Sequence, residues 1–252
     1  MNSRDIYVRM ALYGLALYFV AVLVITVAIL IASPGDIYFI LFFAVPGVIV
    51  GAALLYMRRW GLLVGILGGA IGMLVVLEDL DLFLTTPQSF FDFSSSLFGL
   101  AGVLILLVSS LIGTILYFRG SVSTDFSRLR PGVLTVALVL GLLGVVSAVI
   151  TALEAGDVSA EQARDATVLT AKKGKWDIQM IQATHGQPIR ILVKNKDPIM
   201  HTFTIHDLGI DERIGPWKET IIEVEPPAAR TLGFICRIEG HKADMTGAIV
   251  FE

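Results

Sequence analysis

The chain contains one cysteine in 252 residues, so an internal disulfide is excluded and cysteine usage is silent about compartment. Charge is also scarce: 16% of residues are charged against 55% hydrophobic, and mean hydropathy is +0.78. An ordinary soluble domain is not that apolar. A net charge of −3 is too slight to argue for a nucleic-acid partner. Lysine and histidine are missing from the whole first part. The first lysine is Lys172, and the four histidines are His185, His201, His206 and His241. Without histidine in its apolar runs, the first part cannot hold a haem between paired imidazoles.

What the first part does contain is long hydrophobic runs. A membrane helix needs about 20 apolar residues to cross roughly 30 Å of hydrocarbon. Five stretches qualify, approximately Met10–Ala32, Ile37–Met57, Trp60–Leu77, Leu97–Phe118 and Val133–Leu153. The breaks carry turn chemistry: "SPGD", "MRRW", "TTPQSFFDFSSS" and "RGSVSTDFSRLRPG". The first run is too long for the core of a signal peptide, so it reads as a retained helix. Gly61, Gly65 and Gly69 form a row on the third helix with Gly68 and Gly72 beside it. Gly47 and Gly51 follow Pro46, and Gly144 pairs with Ala148. Such rows let helix backbones approach closely, here first of all within the bundle.

Arginine placement gives an orientation. Arg4 and Arg9 precede the first helix, Arg58 and Arg59 follow the second, and Arg119, Arg128 and Arg130 follow the fourth. The alternate loops carry Asp36, Glu78, Asp79, Asp81 and Asp92 and no Lys or Arg. The N-terminus is therefore expected in the cytoplasm and the C-terminal part, after five crossings, outside. At ~1.5 Å per residue from Arg59, the Glu78–Asp79–Asp81 group reaches the outer interface. An acidic helix end is its simplest reading, and a cation or partner contact the alternative.

Residues 154–166 read as a polar linker, "EAGDVSAEQARDA", and residues 167–252 as a second domain near the small end for self-sufficiency. That domain alternates like strands. "KWDIQMIQA" places Trp176, Ile178 and Met180 on one face. "PIRILVKN" does so with Ile189, Ile191 and Val193, and "HTFTI" with Phe203 and Ile205. "TIIEVEP" aligns Ile222 and Val224, "ARTLGFIC" aligns Leu232 and Phe234, and "GAIVFE" closes the chain. Short strands punctuated by "HGQP", "NKDP", "IGPW", "EPPAA" and "IEGH" indicate a small β-sandwich or barrel.

The lone cysteine lies in "CRIEGHKADM", Cys236 to Met245, with His241 and Met245 close behind. A single cysteine is ordinarily a small buried hydrophobe. Here a turn at Gly240 between two strands would bring thiol, imidazole and thioether together, and His201, just after "NKDPIM", could reach them from a distant strand. Two imidazoles and a thiolate in a trigonal set, with a long axial thioether, are what a blue-copper electron-transfer site uses. His206 lies an odd number of residues after His201, so on a strand it would face the other way and read as a surface imidazole. His185 sits in a turn and reads as solvated.

Residues from about 167 to 252 resemble a cupredoxin, the family of plastocyanin and azurin, through "NKDPIMHTFTIHDLGI" and "CRIEGHKADM" running into "TGAIVFE". The resemblance implies a Greek-key β-sandwich, with His201, Cys236 and His241 as equatorial ligands and Met245 as axial ligand of one copper ion cycling between Cu(I) and Cu(II). It also implies that electrons pass through the exposed edge of His241. Many cupredoxins follow the first ligand histidine with asparagine, which helps tie the two ligand loops together. Thr202 stands there instead. A single cysteine makes the site mononuclear.

The expectation is thus a multi-domain membrane protein. It has a five-helix transmembrane bundle at 1–153, a linker, and an extracytoplasmic all-β copper domain that carries single electrons and is not an enzyme. Its partners would be membrane lipid and a redox protein, either a cytochrome or a membrane oxidoreductase. Two other functions are compatible with the same residues: copper handling without electron transfer, and an accessory subunit of a larger membrane redox complex.

Overall fold

The computed structural model describes residues 5–32, 37–57, 59–78, 80–120, 130–153, 158–225, 231–238 and 244–252. Arg4, Asp36, Arg58, Asp79, Arg128, Gly240 and His241 lie outside these, as does the side chain of Asp81. Two compact units divide near Val149: one carries most of the helices, the other all the strands.

The helical unit contains α1 (Asp5–Ala32), α2 (Ile37–Tyr56), α3 (Arg59–Glu78), the short α4 (Leu80–Leu84), α5 (Phe90–Phe118) and α6 (Arg130–Leu153). Among the described residues three helical segments are long and apolar enough to cross a membrane: Ile6–Ile31, Arg59–Glu78 and Phe90–Phe118. Ile40–Tyr56 and Leu138–Thr151 are shorter apolar helical stretches. The fourth long helix starts at Phe90 rather than Leu97. Ser89 occupies its N-cap position and Asp92 its first turn, where negative charge is favoured, and the Ser89 hydroxyl donates to the buried Asp92 carboxylate. This pair converts half of an expected loop into helix.

Close backbone approach organises the bundle. A side chain at Gly102 of α5 would lie 2.6 Å from the Tyr18 nitrogen of α1, and one at Gly61 would strike the Ala53 carbonyl of α2. Gly61, Gly65 and Gly69 form the buried face of α3 and meet α2 and α5, so this glycine row is used inside the bundle. Proline 46 sits within α2 without a backbone donor. Nearby, the Tyr18 hydroxyl of α1 donates to the Phe43 carbonyl of α2 at 2.9 Å, joining the two helices beside the proline. Arg59 packs over the Trp60 and Tyr117 rings and donates to the Tyr117 hydroxyl at 3.2 Å, joining the start of α3 to the end of α5.

The second unit begins after a capped turn in which Ser159 and Gln162 bond reciprocally through side chain and backbone. Among the described residues nine strands follow: β1 (Thr167–Lys172), β2 (Lys175–Trp176), β3 (Met180–Ala183), β4 (Ile189–Asn195), β5 (His201–Ile205), β6 (Ile210–Ile214), β7 (Glu219–Val224), β8 (Thr231–Ile235) and β9 (Thr246–Phe251). They form a β-sandwich with orders β2-β1-β4-β7 and β3-β9-β8-β5-β6. β1 runs parallel to β4 and β3 parallel to β9, while the remaining pairs are antiparallel.

One expected strand is two. Between Trp176 and Met180 the chain leaves the first sheet for the second, and the alternation changes phase: Trp176 is buried, Met180 is 63% exposed, and Ile181 is buried in its place. Asp177 fixes the departure, its carboxylate accepting from the Thr170 N–H at 2.7 Å. On β4 three successive residues, Ile191, Leu192 and Val193, are buried, and on β5 all five are; the residues expected to face inward on β5, β7, β8 and β9 do so. Phe203 and Ile205 on β5, Ile222 and Val224 on β7, Leu232 and Phe234 on β8, and Ile249 and Phe251 on β9 all face the core.

Phe203 and Phe234 stack at 5.1 Å, and Trp176 meets both edge-on at 6.4 and 6.2 Å. The Phe234 ring lies across Gly247, its antiparallel partner on β9, and any side chain there would run into that ring. Gly247→Ala is expected to lower stability by about 1–3 kcal/mol through overpacking. Thermal unfolding of the purified chain checks this, and an unchanged midpoint would show that the ring has room to move.

Candidate metal centre

β9, β8 and β5 are neighbours in the five-stranded sheet, and one end of that trio gathers the sulfur and nitrogen donors. Cys236 follows β8 and Met245 precedes β9. The ladder pairs Ile235 with Thr246, so Cys236 and Met245 are the next pair outward, and the Cys236 N–H donates to the Met245 carbonyl at 2.9 Å. Cross-strand partners share a face. Both side chains are fully buried, as is His201 at the start of β5. The loop between 236 and 245 therefore starts and ends on one face, as a turn between two strands requires. The expected ligand His241 lies on this loop, outside the described residues.

Thr202 joins the two ligand segments. Its N–H donates to the Cys236 sulfur at 3.4 Å, and its Oγ1 accepts from the Arg237 N–H at 2.8 Å. The threonine thus ties the loops as the asparagine of the resemblance was expected to.

His201 is oriented from its other side. Its Nε2 lies 2.9 Å from Oδ2 of the buried Asp197. The Asp197 carboxylate also accepts from the Lys173 N–H at 2.7 Å and the Gly174 N–H at 2.9 Å. Burial alone would lower the affinity of His201 for its proton. The hydrogen bond to Asp197, and then the interaction with Cys236, push its pKa up to about 9. Burial alone would likewise raise the Asp197 carboxyl, but the bond with His201 and those from Gly174 and Lys173 hold it below the usual carboxylate range. Asn195 fastens the segment before His201, donating to the Ile199, Ile214 and Gly215 carbonyls at 2.8, 3.1 and 2.9 Å and accepting from the Asp197 N–H at 2.8 Å. Trp176 packs beside the His201 ring, centroids 6.4 Å apart.

Three of the four expected ligands, His201, Cys236 and Met245, therefore lie buried at one end of the sandwich. Among the described residues no three of His, Cys, Asp and Glu come together as a metal cluster. The set here is mixed: one imidazole, one thiol and one thioether. These soft and borderline donors, dry and already fastened, suit copper better than the oxygen-preferring cations. His206 sits in a single 3₁₀ turn (His206–Leu208) after β5, exposed, and His185 is exposed as well. Neither joins the site. Asn195 and Asp197 were not singled out from sequence, and Trp176 was read only as one face of a strand. "NKDP" read only as a turn, although an Asn and an Asp placed just before a buried histidine were the available signal.

This is a small β-sandwich with a buried sulfur–imidazole cluster at one end. Residues 142–250 match the profile of the cupredoxin-like domain, a match that begins inside α6, so the C-terminal part of the chain is a cupredoxin-like domain. No curated protein matches the chain. Among solved structures it is similar to a dithionite-reduced auracyanin from the photosynthetic bacterium Roseiflexus castenholzii, with 17% identity over 35% of this chain and 97% of that one and a TM-score of 0.32. It is also similar to auracyanin A, a "blue" copper protein from Chloroflexus aurantiacus, with 16% identity over 34% and 98% and a TM-score of 0.31. A chain of a heme-copper terminal oxidase dimer shares 20% identity over 49% and 99%, with a TM-score of 0.32.

Removing only the Thr202 hydroxyl tests the tie. Thr202→Val leaves the Arg237 N–H without its acceptor and should cost about 1–3 kcal/mol in denaturant unfolding, while Thr202→Ser should stay close to the parent. Equal stability of both variants would mean that the hydroxyl fastens nothing.

Proposed function

We propose that the chain is a membrane-anchored, mononuclear type 1 copper protein that carries single electrons on the extracytoplasmic face. The observation that carries this reading is the burial of His201, Cys236 and Met245 together at one end of the sandwich, on strands tied by Thr202. His201, Cys236 and His241 would be the equatorial ligands and Met245 the axial one.

When bound, copper supplies a one-electron couple between Cu(I) and Cu(II). The protein's part is to hold four donors in one arrangement for both states. Cys236 and Met245 are soft donors, and the imidazoles accommodate either oxidation state. The Thr202 amide and the Asp197 carboxylate keep the thiol and one imidazole in place, and burial keeps water out. With four protein donors no position is left open for a substrate, which favours a carrier over an enzyme.

The remaining residues supply the setting. Apolar helices hold the domain at the membrane, and arginines in alternate connections favour a cytoplasmic N-terminus and an external β domain. Such a tether raises the local concentration of the carrier near membrane redox proteins. Its partners are then a donor and an acceptor protein that meet the copper end of the sandwich.

Copper-loaded full-length protein in detergent should show an intense visible thiolate-to-copper band. Reduction should bleach the band reversibly with the metal retained, and Cys236→Ser should abolish it. A colourless Cu(II) form would contradict the assignment. Separately, a reporter active only in the cytoplasm should be silent when fused after Glu252, and activity there would overturn the orientation.

A further inference from the structure

We infer that Asp197 is a positioning residue for the metal centre, holding the His201 imidazole by Nε2 so that Nδ1 is the nitrogen presented to the metal. This rests on the copper reading above and extends it to a residue outside the expected ligand set.

The hairpin joining β1 and β2 holds the Asp197 carboxylate. Lys172 pairs with Lys175, leaving Lys173 and Gly174 as a two-residue turn, both with positive φ, +56° and +66°. That is the backbone pattern of the tight hairpin turn that matches strand twist, and it is uncommon for a lysine. Its consequence is that two successive N–H groups point the same way and form a small anion-binding nest. Both donate to the Asp197 carboxylate. A further bond from the Lys196 N–H to the Ala171 carbonyl at 2.9 Å docks the segment before His201 onto the same hairpin.

The carboxylate is 2% exposed, and with both oxygens engaged by the turn it still meets His201 Nε2 through Oδ2. An ionised, acceptor-only group at Nε2 requires the ring to carry a proton there. The same contact prevents the ring from turning over. The partner of a ligating imidazole ordinarily fixes its tautomer and raises its basicity, and loss of such a partner costs about 10–100-fold in metal affinity. Here the partner is a full negative charge rather than a neutral carbonyl. It favours the more highly charged oxidation state, so Asp197 should hold the reduction potential down.

The test uses the full-length chain in detergent, with Asp197→Asn as the near-isosteric variant and Asp197→Ala as the second. Before copper is added, nitrogen-resolved NMR should show a slowly exchanging His201 Nε2–H in the parent that is lost in Asp197→Ala. With copper added, Asp197→Asn should weaken Cu(II) binding about tenfold more than Cu(I) binding, a rise in potential of ~59 mV, and should shift the visible and EPR spectra. A purely structural role would weaken both oxidation states equally and leave the potential unmoved, which would overturn the inference. So would an unprotected Nε2–H in the parent, whether or not copper binds. If the Nε2–H is protected but no blue species forms, the positioning stands and the copper reading fails.

Discussion

The structure depends on one fastening. At the start of β5 a single residue, Thr202, offers its amide to the Cys236 sulfur and its hydroxyl to the Arg237 amide, so the two segments cannot drift apart independently. The rest of the site follows from that constraint. The β8–β9 ladder sets Met245 beside Cys236, the buried aromatic trio of Trp176, Phe203 and Phe234 supports β5 and β8 from beneath, and Asn195 and Asp197 fix the chain entering β5. A soft donor set is thereby buried without being left to choose its own geometry, which supports the proposed one-electron carrier.

Much of this was legible in the sequence because it depends on period and spacing. Inward positions on β7, β8 and β9 follow from alternation, and the convergence of Cys236 and Met245 follows from a turn between two strands. The apolar runs follow from length alone. Where the sequence misled, a local interaction overrode the pattern. Asp177 takes the Thr170 amide and sends the chain to the other sheet, so Met180 emerges where alternation would have buried it. α5 starts early, at Phe90, where the Ser89 hydroxyl bonds the Asp92 carboxylate in what looked like a polar loop. Asp197 was invisible for a different reason. Its role depends on the Lys173–Gly174 turn, over twenty residues upstream, and no periodicity links the two.

The two units are fastened differently. In the helical unit a side chain serves the backbone of a neighbouring helix, the Tyr18 hydroxyl of α1 donating to the Phe43 carbonyl of α2. In the β unit, the polar groups that matter are those around one buried thiol, and almost all are backbone amides or carbonyls recruited by short side chains. Thr202, Asn195 and Asp197 are all of this type: small, close to the chain, and with little rotamer freedom to lose. They hold the site without adding competing ligands.

The most direct measurement is copper K-edge X-ray absorption on the full-length protein together with a metal count. The account predicts one copper per chain, with one short copper–sulfur bond that disappears when Cys236 is replaced and nitrogen scatterers that diminish when His201 or His241 is replaced. A copper shell of nitrogen and oxygen alone, or more than one copper per chain, would contradict it.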